Sequence, residues 1–413
     1  MAAKDYGPGT ECGLEPIGTG SHERIEVSVV IPCLNEADTI ASCIKKAKEG
    51  LAAAGVNGEI IVVDNGSTDN SAALAEAAGA RVVTEPCRGY GRALRAGIEA
   101  ARGQLVIIGD ADDSYDFREI PKFIAALRQG FDYVQGCRLP SGGGRILPGA
   151  MPLLHRWWGN PMFSLMARAW FGATVHDVYC GFRAFRKELY QRLDLRSTGM
   201  EFAIEMVIRA TLINAKIADV PITLHADGRK SHPRHLRTFR DGWRTLRVLL
   251  IYSPRWLFLL PGLGLVLLGL IGYALALPGA RVGRATLDAH TLLFASLFVL
   301  CGYQAIIFAL LTKTFAVNEG LLPPDPGLSR LRKLITLERG LVLSGVALAG
   351  GLVLLASAVN EWRSVNFGRL DYAHTMRRVI PGATLTALAI QTVFNSFLVS
   401  ILGIRKEPNQ PQS

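Results

Sequence analysis

"QLVIIGDADDSYD", Gln104–Asp116, runs from an unbroken apolar stretch straight into four acidic residues within seven. The apolar part reads as a buried strand. Clustered carboxylates repel one another unless something cationic binds them. A metal site, a helix start and a solvated turn are the three ways to read the acids.

The residues upstream repeat the pattern. "VSVVIP" (Val27–Pro32) reads as a strand and Glu36–Ala54 as a helix. "EIIVVD" (Glu59–Asp64) is a second strand, Asn70–Ala78 a second helix and "RVVTE" a third strand. Gly91–Arg102 is a third helix, closed by Gly103 in the usual position after a helix end. Strands alternating with helices of this length predict an α/β domain built on a mostly parallel sheet covered on both sides. Ligands on such sheets sit at the carboxyl ends of the strands.

The polar residues then fall along one edge. Asn35 and Glu36 follow the first strand, Asp64 ends the second, Arg88 and Gly89 follow the third, and Asp110 and Asp112 follow the fourth. Each alone has an ordinary reading: Asp64–Ser67 makes a good turn, and Asp69 a helix cap. Polar groups at four strand ends together point to a ligand. "RGYGRALRAG" (Arg88–Gly97) is not G-x-G-x-x-G, and the first strand-to-helix turn, "CLNEAD", has no glycine, which argues against a dinucleotide-binding dehydrogenase. An Asp-x-Asp pair at a strand end can instead hold a hard divalent cation between carboxylate and diphosphate. That arrangement suits a nucleotide-sugar donor, whose leaving group gains charge as it departs.

The other half of the chain has a different character. Of 413 residues, 49% are hydrophobic, and the apolar ones gather late in four blocks: Trp256–Leu277, Leu287–Leu311, Leu341–Val359 and Val379–Ile404. Each approaches or exceeds the ~20 residues a helix needs to cross a bilayer. Arginine and lysine flank the first block and fill the loop between the second and third, which predicts a cytoplasmic catalytic half and a multi-pass cell-membrane location. The net charge of +10 is then a membrane-facing feature, not a sign of nucleic-acid binding. The seven cysteines are scattered, odd in number and lack metal-ligand spacing, as expected in a reducing compartment. Residues 1–24 read as a disordered lead-in without a signal-peptide core. The expected divisions are 25–232 for the catalytic domain, 233–255 for an interface helix, 256–404 for the transmembrane domain and 405–413 for a cytoplasmic tail. In the interface segment Arg237, Arg240, Arg244 and Arg247 recur at helical steps beside Leu236, Phe239, Trp243, Leu246 and Leu250. An amphipathic basic helix of this kind lies in the headgroup plane.

"VVIPCLNEADTI", "IIVVDNGSTDNS", "CRGYGRALRAG", "IIGDADDSYD", "GCRLP" and "HDVYCGFRAF", spread over residues 27–186, resemble the family 2 glycosyltransferases of GT-A fold. Within them the last two favour the dolichyl- and polyprenyl-phosphate hexose synthases. The resemblance implies a GT-A domain with a mostly parallel sheet ahead of four transmembrane helices. It implies transfer of a hexose from UDP- or GDP-hexose to a polyprenyl phosphate, with Mg2+ or Mn2+ and with inversion. Pro32, Glu36, Asp64 and Ala111 would hold the nucleotide sugar, with Arg88 and Gly89 close by. Asp110 and Asp112 would bind the metal and diphosphate, and Ser114 stands where some relatives carry a glutamine on the metal side. Arg138, Arg156 and Asn160 would receive the lipid phosphate, with Asp177 and Arg183 near the acceptor. Arg229 would belong to a basic hairpin that closes on the donor diphosphate. Asp110, Asp112 and Arg138 carry the catalytic expectation.

Some residues keep two readings. Arg156 sits beside Trp157 and Trp158, so it is either a phosphate ligand or a membrane-interface anchor. Glu201 and Glu205, four apart, share a helix face and form either a salt-bridged surface or part of a site. His176 has no partner in sequence. A processive polysaccharide synthase would carry Q-x-x-R-W, but here Arg255–Trp256 is preceded by Tyr252. A lipid-linked-sugar flippase would need a polar path, and the blocks are poor in intramembrane charge, with the amides Gln304, Gln391 and Asn395 as polar exceptions. A homo-oligomer formed through the apolar blocks is compatible with this composition.

Overall fold

The computed structural model describes residues 25–230, 238–282 and 285–403. The expected lead-in over 1–24, residues 233–237 of the interface helix, and the tail over 405–413 lie outside the described residues. The first half alternates as its periodicity dictates: β1 (Val27–Cys33), α1 (Ile40–Ala53), β2 (Gly58–Asp64), α2 (Ser71–Ala77), β3 (Arg81–Thr84), α3 (Tyr90–Ala100) and β4 (Leu105–Ile108). Helix α1 begins four residues later than the sequence pattern suggests. The backbone from Glu36 first makes a turn, with the Glu36 carbonyl accepting from the amides of Thr39 and Ile40.

After β4 come α4 (Ile120–Arg128), β5 (Tyr133–Cys137), β6 (Arg145–Ile146), α5 (Asn160–Phe171), β7 (Arg183–Arg186), α6 (Lys187–Leu193), α7 (Phe202–Leu212), β8 (Ile217–Pro221) and β9 (Thr223–Leu224). Seven strands form one sheet in the order β3-β2-β1-β4-β7-β5-β8. Strand β1 pairs in parallel with β2 and β4, and β5 with β8; only β7 runs against its neighbours, wedged between β4 and β5. Side chains alternate faces along a strand. Val27, Val29 and Ile31 therefore pack toward α1 and α4, while Val30 points the other way, toward α3 and α7. A Cβ on Gly97 of α3 would lie 2.7 Å from Val63 Cγ2, so this glycine serves close helix–sheet packing and not a dinucleotide.

The interface helix α8 (Thr238–Tyr252) has two apolar faces. Thr245, Val248, Leu249 and Tyr252 are buried against the α/β domain, while Phe239 and Trp243 face outward. The Tyr179 hydroxyl donates to Thr245 Oγ1 (2.6 Å) and helps hold the helix there. Helix α9 (Leu260–Ala276), the short strands β10 (Arg281–Val282) and β11 (Ala285–Thr286), α10 (Ala289–Asn318), α11 (Pro326–Leu334), α12 (Leu337–Ser364) and α13 (Tyr372–Gly403) complete the described chain. Four helices, Arg255–Ala276 and those at α10, α12 and α13, are long and apolar enough to cross a membrane. Helix α9 packs on α10 and α12 on α13, with α10 bridging to α13. A Cβ on Gly262 would meet the Gly302 carbonyl at 2.9 Å, the close backbone approach that small residues allow between membrane helices. Leu263, Leu267, Leu293, Phe294, Val342 and Phe394 point outward, as they must where lipid is the solvent.

Candidate active site at the carboxyl edge of the sheet

The loops leaving β1, β2 and β3 are stitched together by short polar side chains. Asn35 adopts φ 60°, a left-handed conformation Asn tolerates. Its amide donates to Ser67 Oγ (3.0 Å), and its Oδ1 accepts from the Thr68 amide (2.7 Å). The Glu36 amide donates to Ser71 Oγ (2.8 Å), and Asp64 Oδ1 accepts from the Ser67 amide (3.1 Å). Pro32 lies within β1 beside Val63 of β2.

Asn65 ties the third loop to the second. Its Nδ2 donates to the carbonyls of Glu85 and Cys87, both at 2.9 Å, and its Oδ1 accepts from the Gly89 amide (2.7 Å). Gly89 needs its φ of 153°, and Arg88 reaches out exposed, donating to the Gly66 carbonyl (3.3 Å). In "VDNGSTDN" this asparagine looks like an ordinary turn residue, so sequence alone hides its role.

The four acids divide into pairs. Asp113 pairs with Lys46 (2.8 Å) and Asp116 accepts from the Arg118 amide (3.1 Å) to cap a helical turn. Asp110 and Asp112 turn to the edge. The Tyr90 hydroxyl donates to Asp110 Oδ1 (2.9 Å). Burial first, then the charge of Asp112, push the Asp110 carboxyl up to about 6, while Tyr90, Arg183 and Arg138 act in the opposite sense. Asp112 Oδ1 accepts from the Ser114 amide (3.1 Å) and hydroxyl (2.6 Å). Ser114 therefore braces Asp112. The Ala111 carbonyl accepts from Cys43 Sγ (3.4 Å), which places the Ala111 backbone against α1.

Arg229 arrives from the far end of the domain. Its guanidinium lies 3.0 Å from Asp112 Oδ2, 3.1 Å from Glu36 Oε1 and 2.8 Å from Asp227 Oδ2. The structure thus unites Glu36, Asp112 and Arg229, which lie up to 193 residues apart. Among the described residues no cluster of three or more His, Cys, Asp or Glu could hold a metal alone. Two carboxylates with frustrated charge still fit Mg2+ or Mn2+, because such ions take one or two protein carboxylates and complete their shell with phosphate oxygens and water. Arg229→Gln is expected to weaken nucleoside-diphosphate binding by about tenfold, the scale of a lost charge-assisted hydrogen bond. Calorimetric titration with UDP and GDP checks this.

A glycine frames the acids. A Cβ on Gly181 would lie 2.5 Å from Asp110 Oδ2 and 3.2 Å from the Tyr115 hydroxyl, which itself accepts from the Gly181 amide (2.8 Å). Gly181→Ala is expected to displace Asp110 and lower kcat by about tenfold or more while the chain stays folded, because small misplacements of reacting groups cost rate steeply. Steady-state turnover alongside a melting curve tests it.

The residues expected on the acceptor side make contacts within the protein. Asp177 is fully buried and accepts from Arg138 in a fork: Nε–Oδ2 2.7 Å, Nη2–Oδ1 2.9 Å, and backbone amide to Oδ2 3.1 Å. Arg138 is only 8% exposed. Its bidentate face meets a protein carboxylate and not an open surface, leaving Nη1 near the Tyr115 hydroxyl (3.5 Å). Arg183 is 2% exposed and donates to the carbonyls of Ala203 and Cys180. It fastens the 177–183 segment to α7. Asn160 is buried, with Nδ2 beside Met151 Sδ (3.5 Å).

Arg156 belongs with the aromatic surface. Its guanidinium lies over the Trp157 ring at 5.6 Å, and Leu153, Trp157, Trp158 and Leu165 around it are strongly exposed. His155 Nε2 meets Thr238 Oγ1 (2.9 Å), joining this surface to α8. This geometry favours the membrane-anchor reading. His176 does have a partner, Asp219, at 2.7 Å from Nδ1. Glu201 and Glu205 do not form a salt-bridged surface. Glu205 is buried and accepts from the amides of Arg196 and Ser197 and from the Tyr252 hydroxyl.

A mostly parallel sheet with polar groups at its carboxyl edge, an acid pair after β4 and four apolar spans are the features a membrane-bound glycosyltransferase presents. Residues 28–194 match the family model for glycosyl transferase family 2, and residues 310–403 match that for the glycosyltransferase family 2 C-terminal transmembrane region. A low-salt glycan biosynthesis hexosyltransferase of Haloferax volcanii, Agl6, is 36% identical over 91% of this chain and 89% of its own. The dolichyl-phosphate hexose transferase of the same organism is 35% identical over 48% of this chain and 82% of its own. The undecaprenyl-phosphate 4-deoxy-4-formamido-L-arabinose transferase of Pseudomonas paraeruginosa is 30% identical over 69% and 83%. Among solved structures, glucosyl-3-phosphoglycerate synthase of Mycobacterium tuberculosis, in complex with Mn2+, UDP and glucosyl-3-phosphoglycerate, is 27% identical over 55% of this chain and 79% of that one, with a TM-score of 0.43. The chain belongs to glycosyltransferase family 2, and the resemblance read from its motifs is borne out.

Proposed function

We propose that this enzyme transfers one hexose from UDP- or GDP-hexose to a polyprenyl phosphate at the cytoplasmic face of the membrane. One observation carries the reading: the acid pair Asp110 and Asp112, with Arg229 lying against Asp112, stands on a domain fastened beside four apolar spans. The named substrates of the dolichyl- and undecaprenyl-phosphate relatives support the choice of acceptor. The basic residues Arg255, Lys313, Arg330 and Arg339, at the ends of the spans facing the catalytic domain, support the orientation.

Asp64 and Glu36 orient the nucleoside, and Arg229 moves its charge from Asp112 onto the diphosphate when the donor binds. Asp110 and Asp112 would hold Mg2+ or Mn2+ against the diphosphate, and the ion would supply charge neutralisation of the leaving group. The lipid phosphate is already anionic at neutral pH, so its oxygen attacks the anomeric carbon without a general base. The nucleoside diphosphate departs from the opposite face and the configuration inverts. The chain's work is alignment and the shielding of like charge.

Purified protein incubated with a panel of labelled UDP- and GDP-sugars tests the reading. Label should enter organic-extractable lipid with polyprenyl phosphate and not with the free polyprenol. Equal labelling of both alcohols and phosphates would contradict it. Trp157→Ser with Trp158→Ser is expected to raise KM for long-chain acceptors several-fold and leave a short soluble acceptor unaffected, since the lost contacts are with the bilayer. Kinetics with both acceptors checks this.

A further inference from the structure

A cavity of about 300 Å3 lies in the seam between the catalytic domain, α8 and the end of α10. The seam is a built contact. Arg196 donates to the Glu319 carbonyl (3.2 Å), and Arg209 donates to those of Gly320 (3.1 Å) and Leu321 (3.0 Å). One wall is apolar, with Ile251 of α8 and Leu322 beyond α10; the other is polar, with Thr198 and Glu201. Its size is at the lower end for small-molecule pockets, enough for one sugar-phosphate-sized head.

Two groups in this cavity call for a ligand. Glu201 lines the cavity; its Oε2 is occluded and has no hydrogen-bond partner, and its other carboxylate oxygen is the one a ligand would meet. Its neighbour Glu205, by contrast, is fully engaged. Arg247, exposed at the mouth of the cavity, forms no ion pair with a described residue and is free to meet a ligand there. A carboxylate oxygen seeks a hydroxyl or ammonium donor, and a guanidinium seeks a phosphate.

The cavity is one layer from the acid pair. The Thr198 carbonyl accepts from the Arg92 amide (3.3 Å), and a Cβ on Gly89 would touch the same carbonyl at 2.5 Å. The next residue, Tyr90, holds Asp110. The wall of the cavity is thus the back of the first turn of α3.

Charge selects among lipid phosphates. A phosphate monoester carries about −1.5 to −2 at neutral pH and offers only acceptors at its ionised oxygens. Glu201 repels it. A hexosyl phosphodiester carries a single negative charge and adds hydroxyl donors, so it satisfies Arg247 and Glu201 together while its chain lies on the apolar wall. We propose that the seam cavity holds the hexosyl-phosphate head of the glycosylated lipid, the product of the reaction proposed above, and so separates product from the acceptor. The inference rests on that reaction. An aminoalkyl phospholipid head would present the same pairing of phosphodiester and donor, and the experiment separates the two.

The test uses the full-length protein in phosphatidylcholine nanodiscs, with chemically synthesised polyprenyl-phosphate-hexose and polyprenyl phosphate titrated separately. Arg247→Gln and Glu201→Ala should each weaken binding of the glycosylated lipid at least fivefold. Glu201→Ala should leave the bare phosphate bound as well as before or more tightly, and UDP or GDP affinity should stay within twofold. Glu201→Gln should fall between. Glycosylated-lipid affinity within twofold of wild type in both Arg247→Gln and Glu201→Ala overturns the proposal. So does displacement of the glycosylated lipid by phosphatidylethanolamine added to the discs. A wild type that binds the supplied glycolipid through these two residues yet labels no lipid would refute the reaction and leave the cavity's specificity standing.

Discussion

Asp112→Asn is expected to lower transfer by about 10²–10³-fold, the scale seen when a preorganised group facing developing charge is removed. The substitution keeps the volume and removes one negative charge from the end of β4. Asp112 presents Oδ2 toward the site and is locked through Oδ1 by Ser114. An amide can accept from Ser114 as before, so the local turn survives. What it loses is the negative charge with which a carboxylate holds a divalent cation against a diphosphate. The melting midpoint should stay within a degree or two, because Arg229 keeps Glu36 and Asp227 as partners. Turnover measured over a range of Mg2+ and Mn2+ concentrations decides the matter. Near-normal rates in excess metal would remove Asp112 from the ion's shell.

The second large effect is on stability. Arg138→Ala leaves Asp177 fully buried with its two strongest partners gone. Breaking one side of a buried pair typically costs about 3–5 kcal/mol. For a domain of this size that corresponds to a fall in melting midpoint on the order of 10 °C. Asp177→Asn should cost less than Asp177→Ala, because an amide still accepts one of the guanidinium bonds. The double variant Arg138→Ala with Asp177→Ala should be less damaging than the sum of the two singles, since each single leaves an unpaired charge that the double does not. Thermal unfolding in detergent, followed by nucleotide affinity on the folded fraction, checks these expectations. An Arg138→Ala protein that melts like wild type and loses only acceptor affinity would restore the phosphate-gripping role.

The contrast between Asp112 and Arg138 shows where the sequence was readable. Strand ends are local, so the acids after β4 could be placed on the sheet edge from periodicity alone. The first four strands, though not their order in the sheet, and the four spans followed from the same local signals. Strand β7 did not. Four residues, "RAFR", enter between β4 and β5 only because distant backbone groups need partners there. Arg138 and Asp177 are 39 residues apart, and an arginine's sequence neighbourhood does not reveal whether its fork meets a carboxylate or a lipid. Glu201 and Glu205 make the point within one helical turn. They share a spacing, yet one accepts from two amides and a phenol while the other keeps a buried oxygen unpaired. Tyr90 donates to Asp110 and Gly181 leaves it room; both lie inside the quoted motifs, yet spacing alone gives neither a role.

The central claim is that one hexose passes to a lipid phosphate and stops there. Mass analysis of the organic phase, after purified protein has met UDP- or GDP-hexose, polyprenyl phosphate and Mg2+, tests it most directly. The account predicts a new species heavier than polyprenyl phosphate by one hexosyl unit, reduced at least about a hundredfold with Asp112→Asn and absent with polyprenol. Free hexose alone, a ladder of several sugars, or a product formed equally by Asp112→Asn would contradict it.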